Sequence, residues 1–142
     1  MTSHETIIEC AKRLIERNEL ARAIRLLNKA AKWFPREVNI WRLLGVAQGS
    51  SGNHLGARAA FLEAVDLNLA DIDVANLITT FWPTDEAKQG IEILESQFES
   101  LSPAAKEIAI NSVCEAMRVG VLQFDWLPSV VQQHYVTVYG KP

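Results

Sequence analysis

The chain has 142 residues, of which 49% are hydrophobic and 22% charged. These values exclude a disordered segment and fit one globular domain able to bury its own core. The net charge of −3 is unevenly placed: residues 1–58 hold ten Lys/Arg against five Asp/Glu, and residues 59–142 hold four against twelve. The chain is therefore an electrostatic dipole along its sequence. No apolar run approaches the ~20 residues of a membrane span. Thr2, Ser3, His4 and Glu5 are polar, with no apolar leader core. Cys10 and Cys114 stand far apart, in no CxxC pair and near no His cluster, so they read as two small buried apolar residues. A cytoplasmic protein with reduced thiols is expected.

A first helix is expected to about Arg17, capped by Thr2 or Ser3, with Glu5 in its first turn. Ile7, Cys10, Ala11, Leu14 and Ile15 give it one apolar face. Asn18 tolerates a left-handed turn and ends it. A second helix runs from about Glu19 to Trp33, with the stripe Leu20, Ala23, Ile24, Leu27, Ala30, Ala31 and Phe34, and Pro35 stops it. The pattern then recurs after 34 residues. Ile7 answers to Trp41, Cys10 to Leu44 and Ala11 to Gly45. Asn18 answers to Gly52, within the turn Ser50-Ser51-Gly52-Asn53. Ala23 answers to Ala57, Leu27 to Phe61 and Ala30 to Ala64. Such self-similarity marks stacked helical hairpins. Gly45 and Ala57 let paired helices approach closely, and Leu44 and Phe61 fill the space beside them.

A third unit is degraded. One helix is expected from about Asp71 to Phe81, broken by Pro83. A second, capped by Thr84 or Asp85, carries Ala87, Ile91, Leu94, Phe98 and Leu101 on one face. Gly90 falls at the small position and Leu94 at the Phe position if the loop is one residue shorter. Ser102-Pro103 opens a capping helix to about Val119, with Ile108, Ala109, Val113, Ala116 and Met117 on its apolar face. The segment after Gly120 is too apolar for a free tail. Ser129 to Tyr139 fits a short helix or, by its β-branched residues, a strand. It either caps the array or exposes Phe124, Trp126, Tyr135 and Tyr139 to a partner or a second copy.

Trp41, Leu44-Gly45, Ala57, Phe61 and Ala64 in the second unit resemble the tetratricopeptide repeat, as do Ala23, Ala30 and Pro35 in the first. The second unit departs at Gln48, where the family prefers Tyr, and at Leu69, where it prefers Pro. The resemblance implies an all-α, right-handed α-α superhelix: a helix-hairpin solenoid of about three repeats (4–37, 38–70, 71–102) with a capping helix (103–120) and an apolar tail (121–142), in one domain. It also implies protein–protein interaction, with the first helix of each hairpin lining a concave groove. The groove positions fall at Glu5, Ile8, Lys12 and Ile15, then Asn39, Arg42, Leu43 and Val46, then Asp73, Asn76, Leu77 and Thr80. This strip suits an extended or helical segment of a partner with apolar anchors. Ile8, Leu43 and Leu77 equally suit packing against neighbouring helices. Lys12 alone cannot build the cationic carboxylate clamp of the family's chaperone adaptors, and Asp73 opposes one.

Arg22, Arg25, Lys29, Lys32 and Arg36 recur at steps of three and four, off the Ala23–Leu27–Ala30 face. They form a solvated basic stripe or a contact for phosphates or an acidic surface, such as the acidic half of a second copy, with an anion binder the lesser alternative. No groove-reading or RNA-binding motif accompanies them, which argues against nucleic acid. His4, His54 and His134 stand in no readable catalytic constellation, and no phosphate loop or metal-ligand spacing occurs. No enzyme activity, metal or cofactor is expected. The reading is a scaffold or chaperone-like adaptor that binds a partner protein, with a homo-oligomer joined by its tail and charged ends as the alternative.

Overall fold

The structure, a computed structural model, describes residues 3–68 and 70–141. It is all-α, with eight α-helices, two short 3-10 turns and no strand among the described residues. Thr2, one of the two expected caps, and Leu69, the expected departure from Pro, lie outside the described residues. The chain forms two compact units, Met1–Asp73 and Val74–Pro142.

The first unit is built from α1 (Ser3–Glu16), α2 (Leu20–Trp33), α3 (Val38–Ser50) and α4 (His54–Asn68). Ser3 is itself helical, so it does not cap α1 from outside. Two of the turns are the same object. After α1, Asn18 takes φ 59°, its N–H reaches Ile15 O at 2.9 Å and the N–H of Glu19 reaches Leu14 O at 2.8 Å. After α3, Gly52 takes φ 89°, with Gly52 N–H to Gly49 O at 3.1 Å and Asn53 N–H to Gln48 O at 2.9 Å. Both are left-handed caps that satisfy the last helical carbonyls. They stand 34 residues apart, at the expected register. Asn53 then starts α4 by accepting the Gly56 N–H at 3.0 Å.

Packing follows the small residues. A Cβ built on Gly45 would sit 2.6 Å from the Phe61 ring, so only glycine lets α3 and α4 approach this closely. Ala23, Leu27, Ala30, Ile40, Leu44 and Ala47 are buried in one cluster that joins α1, α2 and α3. The Trp41 indole packs against this cluster and donates to Pro35 O at 2.8 Å, tying α3 to the end of α2. Cys10 departs from the expectation: it is exposed, whereas its counterpart Leu44 is buried. Leu44 is buried in the cluster formed with α1 and α2, whereas Cys10 lines an open cleft along α1.

The unit boundary falls inside α5 (Asp71–Thr79). This helix stops two residues short of Phe81. Pro83 has no N–H to give the Thr79 carbonyl, and its ring clashes with that carbonyl in a continuing helix. The Thr79 and Thr80 hydroxyls also turn back onto Asn76 O and Leu77 O, at 2.6 and 2.7 Å. The second unit continues with α6 (Ala87–Gln97), a 3-10 turn (Phe98–Ser100), α7 (Pro103–Arg118), a 3-10 turn (Phe124–Trp126) and α8 (Ser129–Tyr139). Neither Thr84 nor Asp85 is the residue flanking α6. Glu86 holds that place without a side-chain cap, and the Thr84 hydroxyl accepts the Glu86 N–H at 3.2 Å. The expected helix to Leu101 instead tightens at Phe98. Ser102 precedes Pro103 and is held extended (φ −64°, ψ 163°), so the turn must finish before it. Ser102 then caps α7 by accepting the Ala105 N–H at 3.2 Å.

Gly90 carries the close contact of this unit. A Cβ there would lie 2.6 Å from Phe81 Cβ and 2.7 Å from the Trp82 ring. The Trp82 indole donates to Ser112 Oγ at 3.0 Å, linking the α5–α6 turn to α7. The last segment is a helix, folded against its own unit. Leu122, Leu127 and Val131 are buried, and the Gln132 amide donates to Phe124 O and Leu127 O at 3.2 and 3.0 Å. His134 meets the Phe98 ring edge-on, with centroids 5.2 Å apart.

Candidate binding groove

The first helices of the two hairpins, α1 and α3, pack together and leave an open cleft of about 810 Å³ along α1. It is lined by Glu5, Thr6, Ile8, Glu9, Cys10, Arg13, Leu14, Arg17 and Asn39. The lining is mostly apolar, and its charges are mixed: two carboxylates stand toward the start of α1 and two guanidiniums toward its end. Ile8 is the buried floor. Lys12 is exposed beside the cleft, with its Nζ 3.5 Å from Glu9 Oε1. Further along the two helices, Ile15 and Leu43 are half-buried and Val46 is 38% exposed. Val46 is thus the groove position on α3 that offers the most apolar surface to an incoming chain.

Arg42 is not free to serve as a groove cation. Its Nε and Nη2 donate to Asp73 Oδ1 and Oδ2 at 2.6 and 2.7 Å, a two-pronged ion pair. Asp73 is fully buried, so the pair neutralises a carboxylate that could not otherwise stay in the interior. The hydrogen bond that Arg42 donates to Asp73 holds its guanidinium above its ordinary range, against the opposing effect of burial. Arg42 Nη1 also donates to Asn39 Oδ1 at 3.1 Å, which orients the Asn39 amide at the cleft. The structure therefore joins three expected groove residues, Asn39, Arg42 and Asp73, in one network. That pairing has a sequence signal: an arginine and an aspartate on successive first helices, 31 residues apart. Asn76 is half-buried and Leu77 buried in the second unit.

The basic stripe lies where expected. Arg22, Arg25, Lys29, Lys32 and Arg36 are all exposed, while Ala23, Leu27 and Ala30 beneath them are buried. Arg22 is held by Glu19 at 2.8 Å, and among the described residues the other four have no ion-pair partner. Trp33, on the same side of α2, is 66% exposed. Its signal was present in the sequence, since Trp33 and Leu26 are the large apolar residues of α2 outside the core stripe, and of the two Leu26 packs against the core. Of the tail aromatics, Phe124 and Tyr135 stack edge-on with centroids 5.5 Å apart and are half-buried, whereas Trp126 and Tyr139 are exposed.

His4 contacts Glu37 at 3.4 Å and stacks on Phe34, His54 opens α4, and His134 packs on Phe98, so the three imidazoles stand in separate places. Among the described residues no cluster of three His, Cys, Asp or Glu could hold a metal, and no helix is long and apolar enough to cross a membrane. No family model matches the chain, and no curated protein matches it.

Proposed function

We propose that the chain is a non-enzymatic protein-interaction module of tetratricopeptide type, working in the cytoplasm. In this reading its first helices form the concave face of a right-handed superhelix and hold a peptide or helix of a partner protein. The observation that carries the reading is the repeated hairpin with its paired left-handed turns at Asn18 and Gly52, which leaves Lys12 on α1 and Asn39 and Val46 on α3 exposed on the first helices. Repeat arrays of this kind bind through the surface that their packing residues leave uncovered. Here Val46, with half-buried Leu43 and Ile15, anchors apolar side chains of the partner. Lys12, Asn39, Arg13 and Glu9 set its polar contacts. The partner segment is amphipathic, with apolar residues toward α3 and both signs of charge toward α1.

The test is affinity capture compared by quantitative mass spectrometry between the wild-type chain and Val46→Asp combined with Lys12→Glu. Both positions are exposed, so helicity by circular dichroism stays at the wild-type level. Partners held in the groove drop out of the variant's capture. A captured set unchanged by the two substitutions sinks the groove reading.

A further inference from the structure

The solvent face of α2 and one face of α6 carry opposite charges with the same spacing. On α2 and just beyond it, Lys29, Lys32 and Arg36 follow one another at steps of three and four. On α6 and the turn after it, Glu92, Glu95 and Glu99 do the same. All six are exposed, and among the described residues none has an ion-pair partner. Each set lies beside an unsatisfied apolar feature. Trp33 projects next to the basic set. Next to Glu92 is an apolar cleft of about 450 Å³, lined by Ile91, Leu122 and the half-exposed Trp126, with Lys88 at its edge.

We propose that these two faces dock on each other between copies of the chain. Lys29 meets Glu92, Lys32 meets Glu95, Arg36 meets Glu99, and the Trp33 indole enters the cleft beside Trp126. The register requires the two helices to run parallel. In that orientation Trp33, which follows Lys32 around α2, and Ile91, which precedes Glu92 around α6, fall on the same side of the charge ladder, and the indole leans toward the N-terminal end, where the cleft lies. The occupant is a second copy, by charge complementarity and matched spacing along two helix faces. A generic acidic surface would satisfy the charges alone and would leave the Trp33 indole and the cleft unmatched. The two faces differ, so the contact is heterologous and propagates into open chains or rings. One helix-on-helix contact is small, so the association is weak and reversible. It uses α2 and α6 and does not rest on the groove reading.

Sedimentation equilibrium of the full chain tests the proposal. In low salt the average mass rises with protein concentration, and at about 0.5 M salt it falls back to that of one chain, because the rungs are exposed charges. Lys29→Glu with Lys32→Glu, and separately Glu92→Lys with Glu95→Lys, each weaken association about tenfold or more. A 1:1 mixture of the two variants restores it, since each copy then presents the other with a complementary face. Trp33→Ala weakens association with the salt dependence kept. A wild-type mass that stays at one chain across the concentration range overturns the proposal. So does association indifferent to the reversals, or a mixture that fails to restore it.

Discussion

Arg42 carries a charge that a groove arginine would offer to a partner, and Asp73 already holds it. Removing the guanidinium leaves a fully buried carboxylate unpaired, a loss that costs about 2–4 kcal/mol once the partial exposure of Arg42 is allowed for. Urea unfolding of Arg42→Ala should show that loss. Asp73→Leu combined with Arg42→Met should lose less than the sum of the single changes, since neither charge is then stranded. The two thiols differ in the same concrete way. Cys10 is exposed. Cys114 is half-buried, and burial pushes its thiol up, against the lowering effect of a hydrogen bond with Tyr139. A disulfide-exchange reagent at pH 8 should label Cys10 first and Cys114 slowly. The sign for stability follows: a thiol whose folded pKa is raised contributes fully below its ordinary value of 9.0, and that contribution is lost as pH rises through the folded value. Simultaneous labelling of both cysteines contradicts this assignment. At this scale the sequence revealed Asn18 as a left-handed cap, because few residue types tolerate that conformation. It could not reveal that Cys10 is exposed, since its apolar position repeats Leu44 and only the open cleft along α1 distinguishes them.

Helices and their contacts were legible to the extent that they are set by local chemistry. The bounds of α1 to α4 follow from periodicity, from Pro35 and from the two turn residues, and the close contact of α3 with α4 follows from Gly45 facing Phe61. The third hairpin was less legible because prolines act from several residues away: Pro83 ends α5 at Thr79, and Pro103 forces the chain to tighten at Phe98. The final segment was ambiguous between helix and strand. Ser129–Tyr139 is helical with Val131 buried against the rest of its unit, so packing overrides β-branched propensity there. Gly90 is the sharpest test of element packing. Its missing side chain faces a Phe81 Cβ fixed to the backbone, so Gly90→Ala forces α6 away from the Phe81–Trp82 turn. The overpacking cost of about 1–3 kcal/mol exceeds the gain of about 1 kcal/mol in helix propensity at its upper end, and thermal unfolding should register net destabilisation. A Gly90→Ala protein more stable than wild type would show that the turn yields.

For the whole molecule, the charge asymmetry along the sequence resolves into two kinds of surface. The first unit offers a cleft of mixed charge and a separate basic face, and the second offers an acidic face. The mixed cleft was only partly legible: Glu5, Ile8 and Asn39 were found by the repeat register, while Arg13, Arg17 and Cys10 entered only through three-dimensional proximity. A partner held in the groove and a copy docked on α2 protect different helices. Hydrogen–deuterium exchange on the complex with a captured partner, run in about 0.5 M salt to suppress contacts between copies, separates them. A groove-bound partner adds protection in α1 and α3, around Glu9 to Arg13 and Leu43 to Val46, with α2 and α6 unchanged. Protection confined to α2, α6 or α8, with α1 and α3 exchanging as in the free chain, would contradict the groove reading.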